Sequence, residues 1–238
     1  MADYTPAWPH GKLERAFADV FYVLGTNKTH HAGVDLQTSR TMTIVRQGNE
    51  LTLINSVRLD EDGLGKLDAL GGVRNIVRLG AFHGRDDAFY RDRYRATLWA
   101  LPNAEATGGV PADRELAPGA FSPLPDAQIY VFTSARFPEA ALLLERDGGI
   151  LLTCDAVQNW THVDQFFSAE TGAMFAAQGL IGEANLPATW REACAPEASD
   201  FRRLGALPFK HLVTAHGAPL LDAAQARLGA RIDEVFGN

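Results

Sequence analysis

The order of strand-like and helical segments constrains the fold of this 238-residue chain more than any other feature. Three strand-like segments come first, at 19–25, 41–46 and 51–57. The second of them alternates between two faces, and a turn at 47–50 joins it to the third as a hairpin. The pattern then predicts a helix over 61–70 and a strand over 73–79.

The second half of the chain repeats this order. After a strand at 96–101, a segment rich in proline and glycine, 102–125, is interpreted as a surface crossing between the halves. Further strands are predicted at 127–133, 139–145, 149–154 and 210–215, and helices at 162–178, 187–194, 198–205 and 220–236. Strands followed by helices, twice over, favour two sheets packed face to face with helices outside.

Composition and charge restrict the kind of protein. Hydrophobic residues make up 46% of the chain and charged residues 21%, as in folded domains, and the length favours one large domain over 1–238. A net charge of −7 disfavours nonspecific attraction to nucleic acid or to an anionic membrane. No apolar run approaches the roughly 20 residues that a membrane-spanning helix needs.

The cysteines and the N-terminal residues bear on the cell compartment. Cys154 and Cys194 stand far apart, which argues against a disulfide framework and against a zinc knuckle. Residues 1–17 contain prolines and charges where a signal peptide needs an apolar core. We therefore expect a cytoplasmic protein, and the sequence leaves a homodimer open.

Four polar segments follow predicted strands, which is where α/β folds place their chemistry. They are His-Gly-Arg-Asp-Asp-Ala (83–88), Thr-Ser-Ala-Arg-Phe-Pro (133–138), Cys154-Asp155 and Thr-Ala-His-Gly (214–217). Their order and spacing resemble the metallo-β-lactamase superfamily. In that family a His-x-His-x-Asp-His segment follows a strand, a His in a turn comes next, an Asp ends a later strand, and a Gly-His lies near the C-terminus.

The scaffold segments support the resemblance best, and it covers about 20–220. TIVRQGNELTLINSV (43–57) is similar to the family's opening hairpin, with Asn55-Ser56 in place of the usual Asp-Thr-Gly ending. ILLTCDAV (150–157) is similar to the strand with the bridging Asp, and HLVTAHGAPL (211–220) to the final His strand. The resemblance implies a four-layer αββα sandwich of two mixed sheets flanked by helices.

The metal-ligand positions agree less well with the family pattern. The positions that keep a residue able to bind a metal are His83, Asp87, Asp155 and His216. Arg85, Ala88 and Arg136 fall where the family has histidines. Because a guanidinium group has no acceptor and stays charged, an arginine cannot ligate a cation. The resemblance therefore implies no ion, or at most one divalent ion (Zn, Mn or Fe), instead of a dinuclear site.

Two functions are compatible with such a reduced site. In the first, a hydrolase-like protein holds one ion through Asp87, Asp155 and His216, with His83 as a further ligand. The ion would lower the pKa of a bound water, with Asp87 and Asp155 as the catalytic residues, while Arg85 and Arg136 would bind a small anionic molecule. In the second, a metal-free descendant of the fold binds an anionic ligand or a protein partner without catalysis.

Arg85 and Arg136 could also balance the negative charge of the aspartates in the cleft. Two aspartates that face one cleft repel each other unless cations are near. We therefore expect Arg85 and Arg136 to point into the cleft and to pair with Asp87, with Asp155 or with a bound anion.

Structural interpretations of these residues also remain open at this stage. Asp86, Asp87 or Asp155 could simply cap a helix, and His216 could simply end a strand. Arg85 and Arg136 could be ordinary surface arginines.

Three other features have mainly structural interpretations. The run Arg91–Arg95 predicts a solvated helix face with paired charges. His30-His31 is predicted to lie in an exposed polar loop over 26–40. Cys154 is expected to point away from Asp155 into the core, because neighbours on a strand face opposite sides.

Overall fold

The structure, a computed structural model, describes residues 4–31, 33–105 and 109–237. Seven strands form the first sheet in chain order: β1 (Glu14–Phe17), β2 (Val20–His31), β3 (Val34–Gln47), β4 (Glu50–Ile54), β5 (Gly72–Arg78), β6 (Thr97–Ala100) and β7 (Arg114–Glu115). β1 to β4 pair antiparallel, whereas β4 to β7 pair in parallel, so this sheet is mixed.

Four strands form the second sheet: β8 (Ala127–Val131), β9 (Ala140–Leu144), β10 (Ile150–Thr153) and β11 (His211–Thr214). Their spatial order is β11-β10-β9-β8. β10 and β11 are parallel neighbours, whereas the other two pairs are antiparallel. The carboxyl ends of β10 and β11 therefore lie side by side at one edge of the sheet.

Six helices complete the described part of the chain: α1 (Glu61–Leu70), α2 (Asp87–Tyr94), α3 (Ala169–Ala177), α4 (Ala188–Cys194), α5 (Ala198–Gly205) and α6 (Ala224–Phe236). α1 has the bounds that the sequence predicted. Its first turn is capped by Asp60, whose side chain accepts a hydrogen bond from the backbone N–H of Gly63 at 2.8 Å. Within the described residues, no helix is long and apolar enough to cross a membrane.

Three apolar clusters show how the layers are stacked. Val45 and Val77 of the first sheet pack against Leu142 and Leu152 of the second, in the cluster between the sheets. The outer face of the first sheet packs against α1 and α2. The outer face of the second sheet packs against α4, α5 and α6. The order of layers is therefore helix, sheet, sheet, helix, and the predicted αββα architecture is confirmed.

Two predicted loops differ from the structure. The polar segment 26–40 is mostly a long hairpin of β2 and β3, in which His30 pairs with Asp35. It lacks apolar alternation because much of it is exposed, so its pattern did not indicate strands. The crossing 102–125 contains the short edge strand β7, and residues 106–108 of it lie outside the described residues.

Candidate metal centre

Three loops that follow strands bring the site residues together. His83 lies between β5 and α2, Asp155 lies two residues after β10, and His216 lies two residues after β11. A bridge between Gly80 and Glu139 ties the end of β5 to the second sheet. The two sheets therefore meet where these three side chains emerge.

The ligand atoms of these residues converge on one point. His216 Nε2 lies 2.8 Å from Asp155 Oδ1, and His83 Nε2 lies 3.4 Å from the same oxygen. The two Nε2 atoms are 3.2 Å apart. Ligands of a tetrahedral zinc ion with bonds of about 2.0–2.1 Å stand about 3.3 Å from one another. The three atoms therefore have nearly the spacing that one small divalent ion requires.

The backbone around His216 holds its ring in place. Gly217 has a φ of +96°, and a Cβ there would lie 2.0 Å from the carbonyl oxygen of Asn159, so only glycine fits. The Thr214 hydroxyl donates to the carbonyl of His216 at 2.5 Å. The ring of Trp160 lies 4.7 Å from the imidazole, centroid to centroid. His216 therefore has little freedom to turn away from Asp155.

Burial and charge set the protonation of this cluster. Burial alone would raise the pKa of Asp155, but His83 and His216 outweigh it and hold the pKa of this carboxyl well below its usual range. Burial lowers the pKa of His83, although Asp155 opposes the effect. An ionised Asp155 beside a neutral His83 is the state in which both groups can bind a metal ion.

The second ring nitrogen of each histidine, Nδ1, lacks a hydrogen-bond partner among the residues that the structure describes. In both His83 and His216 this atom is buried. In most metal centres the second nitrogen of a ligating histidine donates to a carboxylate, a carbonyl or a water. The spacing of the ligand atoms is thus typical of a metal centre, whereas the lack of partners at the two Nδ1 atoms is not.

Asp87 has a different set of contacts from the one expected for a ligand. Its Oδ2 accepts from Arg78 Nε at 2.8 Å, and its Oδ1 accepts from the Ser56 hydroxyl at 2.5 Å. Both partners in the ion pair are 1% exposed. Arg78 also donates to the carbonyls of Ala104 and Val110. Asp87 therefore joins α2 to β5 and to the loop that follows β4, and it is not hydrogen-bonded to His83, Asp155 or His216.

A second buried arginine holds the neighbouring aspartate. Arg40 Nη2 donates to Asp86 Oδ2 at 2.5 Å and to the carbonyl of Ser56. Asp86 also accepts from the backbone N–H of Arg58 at 2.9 Å. We call the set Arg40, Ser56, Arg78, Asp86 and Asp87 the arginine network. It neutralises both aspartates at the start of α2 without any metal ion.

Arg85 and Arg136 have contacts other than the expected pairs with Asp87 and Asp155, and their expected pairing with a bound anion stays a prediction. Arg85 is half-buried, donates to Asn27 Oδ1 at 2.9 Å and lies 5.0 Å from the centre of the Trp8 ring. Arg136 is exposed. The cations that Asp87 and Asp86 pair with come instead from strands β5 and β3, which place Arg78 and Arg40 inside the fold.

Comparison with solved structures identifies the architecture. A metallo-β-lactamase from Erythrobacter litoralis superimposes with a TM-score of 0.60 at 15% identity, covering 93% of this chain and 92% of that one. VMB-1 gives a TM-score of 0.64 at 12% identity, covering 94% and 97%. FIM-1 from Pseudomonas aeruginosa, in its mono-zinc form, gives 0.63 at 12% identity, covering 97% and 98%. This chain has the metallo-β-lactamase fold. No protein-family model and no curated protein matches it.

Two residues beside the centre, Cys154 and Glu139, were not predicted from the sequence to lie there. Cys154 was expected to face away from Asp155, yet its ligand atom and those of His83 and Asp155 all lie within 4.8 Å of one another. Glu139 is 1% exposed, and its Oε1 accepts from the backbone N–H of Ala156 at 2.5 Å. Burial, together with the charge of Asp155, raises the pKa of Glu139 well above its usual value.

The arginine network was also missed, although one signal was present. Arg78 stands at the end of an apolar strand segment, and a charged residue there is buried only when it is paired. A glycine supports the same contact: Gly84 has a φ of +114°, and a Cβ on it would lie 2.5 Å from Arg78 Nε. The partner, Asp87, could not be assigned without knowing how α2 turns back over β5.

Proposed function

We propose that this chain is a hydrolase-like protein of the metallo-β-lactamase fold with a reduced centre. It holds at most one divalent ion through His83, Asp155 and His216, and it acts on or binds a small anionic molecule. Asp87 is left out of the proposed ligand set, because both of its carboxylate oxygens are already bound by Arg78 and Ser56.

One observation carries this proposal. Two imidazole nitrogens and one carboxylate oxygen lie 2.8–3.4 Å from one another, with the side chains of His83 and Asp155 only 6% and 13% exposed. Two histidines and one carboxylate at this spacing are typical ligands of a zinc ion. The mono-zinc form of FIM-1 shows that a protein of this fold can hold a single ion.

Each residue of the centre has its own role in this proposal. Asp155 supplies the anionic ligand, and His83 and His216 supply neutral nitrogen ligands. A bound divalent ion would supply Lewis acidity and would lower the pKa of water at the centre. Arg85 is offered as the group that orients an anionic substrate, since it lies two residues from His83 and is held by Asn27 and Trp8.

The experiment is metal analysis of protein purified without chelators and without metal-affinity resin. We expect one equivalent of zinc per chain in the parent protein. Asp155→Ala and His216→Ala should bind zinc more weakly than the parent and lose it on dialysis, because each variant removes one ligand of the centre. Asp87→Asn should retain it where the variant is folded, because Asp87 is tied to Arg78.

His162→Ala is the matched control for the histidine variant. His162 is exposed and lies close in sequence to Trp160, which packs on the site, so its removal should leave the metal content unchanged. Two bound equivalents in the parent would contradict the one-ion centre. Unchanged occupancy in Asp155→Ala would place the ion elsewhere.

A second candidate is a metal-free descendant that binds an anion or a protein partner. The arginine network favours it, because Asp86 and Asp87 are neutralised within the protein. The unsupported Nδ1 atoms of His83 and His216 favour it too. This candidate predicts no bound metal in the parent protein and no change in its melting temperature when zinc is added.

A further inference from the structure

The position of Cys154 relative to its strand explains why its sulfur lies on the side of the site. β10 ends at Thr153, so Cys154 and Asp155 both belong to the loop that follows. The alternation that sends strand neighbours to opposite faces no longer applies there. Cys154 Sγ lies 3.9 Å from Asp155 Oδ2. The contacts of His83 and His216 with this carboxylate are to the other oxygen, Oδ1.

The surroundings of the sulfur leave it little room to move. Cys154 is 0% exposed. A Cβ on Gly80 would lie 2.8 Å from Sγ and 3.2 Å from Glu139 Oε2, so the absence of a side chain at Gly80 makes the space that the thiol occupies. The thiol is therefore bordered on one side by Gly80, which follows β5, and its sulfur lies within 4.8 Å of the ligand atoms of His83 and Asp155.

We propose that Cys154 binds an ion at this centre as a thiolate, together with His83 and Asp155, because the ligand atoms of these three residues all lie within 4.8 Å of one another. The inference rests on the proposed function, because it takes an ion at this centre as given. Binding replaces the S–H bond with a metal–sulfur bond, and the thiol proton is released to solvent. No oxidant or other reactant is needed.

A sulfur ligand bears on which metal ion binds at this centre. Thiolates favour zinc over manganese, so the ion would be zinc and not one of the harder alternatives.

Cobalt is the probe that tests the sulfur directly. Metal-free protein is titrated with Co²⁺, and its absorption is recorded in the near ultraviolet and the visible. We expect an intense near-ultraviolet thiolate-to-cobalt band, together with the visible bands of tetrahedral Co²⁺. The titration should release the thiol proton, measured in a weak buffer with a pH indicator.

Cys194 provides the matched control, since it is the other buried free cysteine. Cys194→Ser should keep the near-ultraviolet band, whereas Cys154→Ser should lose it and keep the visible bands at reduced Co²⁺ affinity. Cys154→Ala serves as a second variant, and if neither variant folds, a band that persists in Cys194→Ser assigns the sulfur to Cys154.

The outcomes separate the two proposals. Co²⁺ that binds without a near-ultraviolet band overturns sulfur ligation and leaves the one-ion centre standing. A band that disappears in Cys194→Ser overturns it as well. Equilibrium dialysis that detects neither Co²⁺ nor Zn²⁺ on the parent protein overturns both proposals together.

Discussion

Two groups of buried polar side chains lie close together in this chain, and they differ in how completely they are satisfied. In the arginine network each aspartate faces a guanidinium group, and both pairs are less than 10% exposed. In the centre formed by His83, Asp155 and His216, three acceptor-capable atoms crowd together and two ring nitrogens have no partner among the described residues.

The difference separates a structural arrangement from a functional one. Natural folds pair nearly all buried polar groups, so a fully satisfied cluster needs no ligand to explain it. A cluster that leaves buried donors or acceptors unmatched is explained by a role beyond folding. The two groups also respond differently to change: the arginine network should govern stability, and the centre should govern what the protein binds.

The largest effect should come from Arg78→Met. It leaves Asp87 as an uncompensated buried charge and removes the bonds to Ala104 and Val110. Breaking a buried pair by removing one partner costs about 3–5 kcal/mol in the free energy of unfolding. Urea denaturation followed by circular dichroism measures it.

Arg74→Met is the control on the same strand. Arg74 is 66% exposed and lies 3.4 Å from Glu50, so its removal should cost at most about 0.5–1 kcal/mol. Equal effects at the two positions would mean that the Arg78–Asp87 pair does not stabilise the fold as a buried pair.

A smaller, pH-dependent effect is expected from Glu139→Gln. The pKa of Glu139 is raised in the folded state above its ordinary 4.5, so the folded protein keeps a proton that the unfolded chain loses. Stability of the parent should therefore be full below about pH 4 and should fall as pH rises above it, by up to about 1.4 kcal/mol per pH unit until the folded pKa is reached. Glutamine resembles the protonated acid and does not titrate.

We therefore expect Glu139→Gln to be more stable than the parent at pH 7 and to lose that advantage near pH 4. Glu145, just after β9, is exposed, and Glu145→Gln should show no such pH-dependent difference. Chemical denaturation at several pH values checks both variants. A constant difference across that range would mean that Glu139 is ionised in the folded protein.

The sequence predicted the centre of His83, Asp155 and His216 better than the arginine network, because the signals for the centre lie in short sequence segments. His83, Asp155 and His216 each follow a strand, and the resemblance of these segments to the metallo-β-lactamase pattern predicted that they converge, together with Asp87, which the structure ties to Arg78 instead. Arg40 was assigned to a polar loop because an exposed hairpin lacks apolar alternation. Its partner Asp86 lies 46 positions away, and nothing in the local pattern indicates so distant a contact.

The fold was predictable for a similar reason. α1 begins after a capping aspartate and ends before two glycines, and both signals are local. The short strands β1 and β7 at the sheet's edges were missed, because four and two residues are too few to show a period. The predicted orientation of Cys154 was wrong because β10 ends at Thr153, one position earlier than predicted. Cys154 therefore lies outside the strand, where side chains need not alternate between faces.

The smallest effects concern Arg85 and Arg136, and they test whether either arginine belongs to the centre. Arg85→Ala removes a hydrogen bond to Asn27 and a contact with Trp8, which should cost about 1 kcal/mol of stability. Arg136 is exposed, so Arg136→Ala should change stability by less than about 0.5 kcal/mol.

The sharper readout is the rise in melting temperature on adding inorganic phosphate, since a ligand that binds the folded state stabilises it. We expect that rise in the parent and in Arg136→Ala, and we expect it to be reduced in Arg85→Ala. A rise that survives in Arg85→Ala and disappears in Arg136→Ala would reverse the assignment and move anion binding to the exposed turn before β9.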